Sequence, residues 1–218
     1  MDFEFWNNCW VKPTQPFHLT KPHHFLTEYF DQYFADKERV LLPLCGKTQD
    51  LNFLAQNGIN VIGVEFNPRA VESFFADSKL TPEVTSFDNK TRYQTSSIEV
   101  WMADFFNINQ DDIGHFQAIF DRAALVALPP KMRPDYAKHL ISFLAPQGRL
   151  LLVTMDYDVE QMSGPPFYID KAEIEELFPN TEIKQLARTS IIQSHPRWRE
   201  LELSRLDEVL YEIQLKTM

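Results

Sequence analysis

Residues 40–67, VLLPLCGKTQDLNFLAQNGINVIGVEFN, constrain the fold more than any other stretch. An apolar run leads into a short turn, a helical pattern stopped at Asn57-Gly58, and a second apolar run ending at Glu65. A helix between two strands predicts parallel pairing through a right-handed crossover. The turn, Leu44-Cys45-Gly46-Lys47-Thr48, holds one glycine. A pyrophosphate cradle of the G-x-G-x-x-G kind needs several, because the backbone must approach the phosphates closely. Gly46-Lys47-Thr48 matches the end of a phosphate loop, but Leu41 stands where that loop requires its first glycine.

The same alternation continues on both sides. Helical periodicity is expected over 21–34, with Thr20 as cap, and over 50–56, 68–77, 133–144 and 170–177. Asn67 is the expected cap of the 68–77 helix, with proline at its first position. Strands are expected over 39–44, 61–65, 98–103, 116–120, 149–155, 189–193 and 209–215. Such alternation predicts a mostly parallel sheet with helices on both faces. Ligands of open α/β sheets bind beyond the carboxyl ends of the strands. The stretches 44–48, 65–67, 103–106 and 121–125 therefore line the expected pocket.

Glu65 narrows the ligand. It lies roughly 20 residues past the turn, the offset at which an acid meets the ribose hydroxyls of an adenosine. A carboxylate offers two acceptor oxygens to two vicinal hydroxyls. An adenosine site without a pyrophosphate cradle points to S-adenosylmethionine.

Charge and composition exclude other classes. The chain has 218 residues, a formal net charge of −10 and a pI near 5.0, which argues against nucleic acid as a partner. No apolar run is long enough for a membrane span, and the acidic start, Met1-Asp2-Phe3-Glu4, lacks the pattern of a signal peptide. Cys9 and Cys45 are the two cysteines, too few for a disulfide scaffold, and a cytoplasmic setting is expected. The six histidines show no metal-ligand spacing, and His23 and His24 are expected to diverge from a helix, so no metal is expected. Cys45 has no histidine partner in the sequence and reads as a small apolar turn residue.

Five stretches stand out together: FWNNCW at 5–10, PLCGKTQDL at 43–51, VIGVEFNPRAVESFF at 61–75, DRAALVALPPKMR at 121–133 and GPPFYI at 164–169. With them the chain resembles the thiopurine S-methyltransferases, especially their bacterial members, over nearly its full length. The resemblance implies a Rossmann-like class I methyltransferase with a seven-stranded sheet, using S-adenosyl-L-methionine as methyl donor. It implies one domain, 1–218, in which 1–34 form an N-terminal lid segment and helix and 35–218 the Rossmann-like core. Trp10, Leu44, Glu65 and Arg122 align with cofactor-contacting positions, Asp104 and Phe105 with the segment flanking the adenine, and Phe17 with the acceptor pocket. The family also leads to the expectation of a monomer.

The chemistry follows independently of the family. Methyl transfer from a sulfonium to a thiolate destroys charge, so a water-excluding site and close approach of the reactants favour it. A thiol of low pKa is already ionised at neutral pH, and a dedicated base is optional. No catalytic acid/base set is evident. Arg122 offers a planar fork of donors for the cofactor or an acceptor anion. Trp10 and Phe17 fit an apolar lid. The resemblance implies a small aromatic or heterocyclic thiol as the acceptor. Halide, sulfide, selenium or tellurium acceptors are the nearest alternative; a noncatalytic S-adenosylmethionine-binding protein or a nucleotide-dependent oxidoreductase would be a different class.

Overall fold

The computed structural model describes residues 3–12, 15, 17–194 and 196–216. The chain divides into two compact units, residues 2–120 and 121–218. The first opens with α1 (Phe3–Val11), α2 (His24–Glu28) and α3 (Phe30–Tyr33). The single helix expected over 21–34 is therefore two short ones, broken at Tyr29, whose φ of −101° and ψ of 9° leave the helical region. Its cap is His23 rather than Thr20: the His23 ring accepts the Phe25 N–H at 3.3 Å. Asp50 in turn accepts the His23 N–H at 2.7 Å.

The βαβ unit forms as expected from β1 (Arg39–Leu42), α4 (Gln49–Gln56) and β2 (Asn60–Glu65). Its parallel register sets Val40 opposite Val61 and Leu42 opposite Gly63. Gly63 admits close packing, since a Cβ there would stand 2.7 Å from the Cys45 sulfur. α5 (Pro68–Asp77) starts where the proline and asparagine predict, with the Asn67 side chain accepting the Arg69 N–H at 3.0 Å.

Periodicity did not reveal the next hairpin, β3 (Glu83–Phe87) and β4 (Lys90–Gln94), joined through Asp88-Asn89. Neither strand has a buried residue, so no apolar face advertises it in the sequence. β5 (Ile98–Met102) pairs in parallel with β2. α6 (Gln110–Ile113) opens with a capping box of Asn109 and Asp112. β6 (Phe116–Arg122) pairs in parallel with β1 and carries the chain into the second unit. The strand order in the first unit is β3-β4-β5-β2-β1-β6. From β1 the chain steps to β2 on one side and returns to β6 on the other, and open α/β sheets bind ligands at such a reversal. Val40, Leu41, Val61, Val64, Ala118 and Ile119 fill these central strands and are buried. Each large apolar side chain so buried is worth about 1.5–3 kcal/mol.

The second unit holds α7 (Arg133–Ser142), β7 (Leu144–Tyr157), α8 (Lys171–Leu177), β8 (Thr181–Ser190), α9 (Pro196–Glu200) and β9 (Leu206–Leu215). Its strands run β7-β9-β8, antiparallel throughout. β8 starts well ahead of the stretch expected over 189–193 and overlaps it only at Thr189-Ser190. TEIKQLARTS is a largely exposed strand, so its pairing with β9, interrupted by an irregularity between Gln185 and Ala187, defines it better than its hydrophobicity. The class is the expected α/β one, but nine strands occur among the described residues where seven were expected, and parallel and antiparallel pairs are mixed. Among the described residues no helix is long and apolar enough to cross a membrane.

Candidate active site

The turn after β1 is built from two left-handed residues, Leu44 at φ 45° and Gly46 at φ 56°. The first is unusual for a leucine, and such strain persists only where the surroundings hold it. Here the Cys45 N–H donates to the Val64 carbonyl at 3.0 Å. The Ala103 N–H likewise donates to the Glu65 carbonyl at 3.0 Å. These two bonds draw 44–48, 65–67 and 103–106, three of the four expected stretches, to one end of the parallel strands.

Glu65 is 4% exposed and joins two of these turns. One carboxylate oxygen accepts the Gly46 N–H at 2.8 Å and the other the Asn67 N–H at 2.7 Å. Burial pushes its pKa up to about 7, against the opposing pull of backbone donors from Asn67, Gly46 and Phe66. Burial and then the charge of Glu65 also push the Cys45 thiol well up, which suits a turn residue and not a thiolate nucleophile. Asp104 caps the single turn 105–107 by accepting the Phe106 N–H at 3.1 Å. Phe105 is 1% exposed, so its ring packs in the core, while Phe106 is half-buried.

α1 buries none of its residues and is held by a few specific contacts. A Cβ on Gly46 would stand 3.0 Å from the Trp10 ring, so the indole covers the glycine turn. Phe17 meets Trp10 edge-on at 5.2 Å and Trp6 at 5.6 Å. Phe3 meets Phe66 at 4.9 Å, and Asn67 Nδ2 donates to Asn7 Oδ1 at 2.6 Å. Trp6 and Asn7 were not singled out from the sequence. The four-residue spacing of Trp6 and Trp10, which places both on one helix face, was the available signal.

In the second unit Arg122 ends β6 and is half-buried. Its neighbour Asp121 is fully buried, accepting the Leu125 N–H at 3.1 Å and the Tyr136 hydroxyl at 2.8 Å. Burial raises the Asp121 pKa to about 6. The Gly164-Pro165-Pro166-Phe167 loop is anchored too: the Phe167 N–H donates to the Val126 carbonyl at 2.7 Å, and the Tyr157 hydroxyl to the Pro166 carbonyl at 2.9 Å. A cavity of about 960 Å³ is lined by Arg133, Lys138, Asp170, Glu173 and Glu176 among others. None of the expected cofactor or acceptor residues lines it.

One expectation is corrected. His23 and His24 do not diverge: their ring centroids lie 4.6 Å apart, because His23 is the extended cap residue, outside the helix. His195 lies outside the described residues.

A parallel β5-β2-β1-β6 order, a one-glycine turn after β1 and a buried acid ending β2 define a Rossmann-like methyltransferase of class I. The crystal structure of an S-adenosylmethionine-dependent methyltransferase from Anabaena variabilis shares the fold, with a TM-score of 0.68 over 98% of this chain and 93% of that one, at 16% identity. Within that class the chain belongs to the thiopurine S-methyltransferase family, whose model matches residues 1–216. The thiopurine S-methyltransferase of Pseudomonas fluorescens is 39% identical over 218 residues, covering 99% of this chain and 100% of the relative. That of Photobacterium profundum is 40% identical over 216 residues, with 99% and 100% covered. The chain is thus an S-adenosylmethionine-dependent S-methyltransferase.

Proposed function

We propose that this enzyme methylates small aromatic or heterocyclic thiols, with the donor held between the 44–48 turn and Glu65. The observation that carries the reading is Glu65, a buried carboxylate at the end of β2 beside a one-glycine turn. The residues fit the donor. Each Glu65 oxygen accepts one backbone N–H in the structure and has a second lone pair for a ribose hydroxyl. S-adenosylmethionine supplies a methyl group activated on a sulfonium.

The chain's own residues bind, orient and exclude water. Glu65 holds the ribose, while Leu44 and Gly46 shape the backbone beneath it. Asp104 orders the 103–106 turn, and Phe105 acts on the adenine side through the backbone of that turn. Trp10 closes over the glycine turn and Phe17 backs it with an apolar wall, together lowering the local dielectric. Arg122 orients an anionic group of donor or acceptor through its planar fork. The acceptor ionises on its own, and no side chain is required as base.

The reading includes one domain with residues 1–34 as lid, a monomer, a cytoplasmic setting and no metal. The free cysteines Cys9 and Cys45 are compatible with reducing surroundings. Calorimetric titration with S-adenosylmethionine, followed by methyl transfer to a panel of aromatic thiols in the presence of a chelator, tests it. Saturable binding and chelator-resistant thioether formation are expected. No transfer to any thiol, with transfer to sulfide or selenite instead, would move the substrate class.

A further inference from the structure

Around Glu65 the contacts close into a ring. Asn67 Nδ2 donates to Asn7 on α1, and the Asn67 backbone N–H donates to Glu65. Glu65 accepts the Gly46 N–H, and Gly46 lies under Trp10, which returns the ring to α1. Asn67 is 1% exposed, and all of its polar groups named so far are engaged: its side-chain oxygen caps α5 by accepting the Arg69 N–H. One residue thereby touches the lid, the ribose acid and the helix that follows β2. A plain N-cap needs only the side-chain oxygen, and serine serves that purpose equally well. The amide nitrogen directed at Asn7 is the surplus that calls for a reason.

We propose that Asn67 is a positioning residue that couples docking of α1 to the placement of the Glu65 carboxylate, with Asn7 as the latch. The inference rests on the reading that Glu65 holds the donor's ribose. When α1 docks, the Asn7–Asn67 bond fixes the 65–67 turn on which the carboxylate sits. When it lifts, both Trp10 and this bond release the turn, so the donor leaves more readily. α1 has no fully buried side chain and is held by a few contacts, so the Asn7–Asn67 bond is one of a small set, with Trp10 on Gly46 and Phe3 on Phe66, that holds it down.

The test uses the full chain. Asn7 is exposed, so Asn7→Ala should fold as the wild type does. S-adenosylmethionine should bind it roughly two- to tenfold more weakly, the equivalent of one neutral hydrogen bond, chiefly through faster dissociation. Asn7→Asp keeps an acceptor for the Asn67 amide and should restore binding. Asn67→Ser keeps the helix cap but is too short to reach Asn7. It should match Asn7→Ala, and the double variant should be no worse than either single one. KM for the donor should rise more than KM for the thiol. Without ligand, protease should cut α1 of Asn7→Ala faster than that of the wild type. Wild-type dissociation and proteolysis rates in Asn7→Ala, or additive losses in the double variant, would overturn the latch. If the wild type failed to bind the donor while Asn7→Ala still sped proteolysis, the ribose reading would fall and α1 docking through Asn7 would stand.

Discussion

Glu65 in β2 and Asp121 in β6 invite comparison. Each is a buried acid at or next to the carboxyl end of a strand, and burial raises each above the usual carboxylate range, to about 7 and about 6. Their partners differ. Asp121 is bound by the Leu125 N–H and the Tyr136 hydroxyl, donors that tie α7 and the loop after β6 to the strand end. Glu65 is bound by two backbone N–H groups from two separate turns, and α1 reaches both. Burial alone therefore does not identify a binding acid. What separates the two is whether the donors include a packing side chain, as for Asp121, or are backbone groups of two turns, as for Glu65.

Changes at Glu65 should affect donor binding most. Glu65→Ala should weaken S-adenosylmethionine by at least roughly 100-fold, since two hydrogen bonds to a charged acceptor, each worth about 1.5–3 kcal/mol, are lost. Calorimetry on the folded variant decides it, and unchanged affinity would erase the contrast with Asp121.

Acidity should produce the next largest effect. On the proposed reading the ionised form of Glu65 accepts the ribose hydroxyls, and burial pushes the pKa of this carboxyl up to about 7. Affinity should therefore fall about tenfold from pH 8 to pH 6, with protons released on binding at neutral pH. Titration in buffers of different ionisation enthalpy measures that release. The sign for fold stability is opposite. A carboxyl raised from 4.5 to about 7 contributes stability that is complete below the lower value and lost as pH rises through the upper one. Asp121 behaves likewise between 3.8 and about 6. Donor affinity that followed the Asp121 range would mean the wrong acid had been assigned to the ribose.

Tyr136→Phe should change donor affinity least, within about twofold, while costing about 1–3 kcal/mol of stability at neutral pH, because a buried carboxylate oxygen loses its donor. Denaturant unfolding beside calorimetry separates the two effects. A large loss of affinity without loss of stability would make the Asp121 pair part of the site.

The β1-α4-β2 unit, the α5 boundaries and the place of Glu65 were legible in the sequence. They depend on neighbours in the chain: apolar runs bounded by Asn57-Gly58, a cap at Asn67 and a proline at Pro68. The 21–34 region misled, because its helical spacing runs through Tyr29 while the His23–Asp50 bond sets where the helix starts. The β3-β4 hairpin went unseen and β8 was expected too late in the chain for a related reason: no residue of β3 or β4 is buried, β8 is largely exposed, and pairing with their partners defines all three.

By itself, then, the sequence determined the parallel centre and the acid at its edge, where local periodicity and capping decide the structure. Tertiary structure alone decided which groups that acid binds. The partners Asn7 and Asn67 are 60 residues apart, Gly46 and Glu65 are 19 apart, and Asp121 and Tyr136 are 15 apart. Hydrogen bonds across such separations depend on how elements pack, and no local pattern encodes which buried donor a carboxylate will meet.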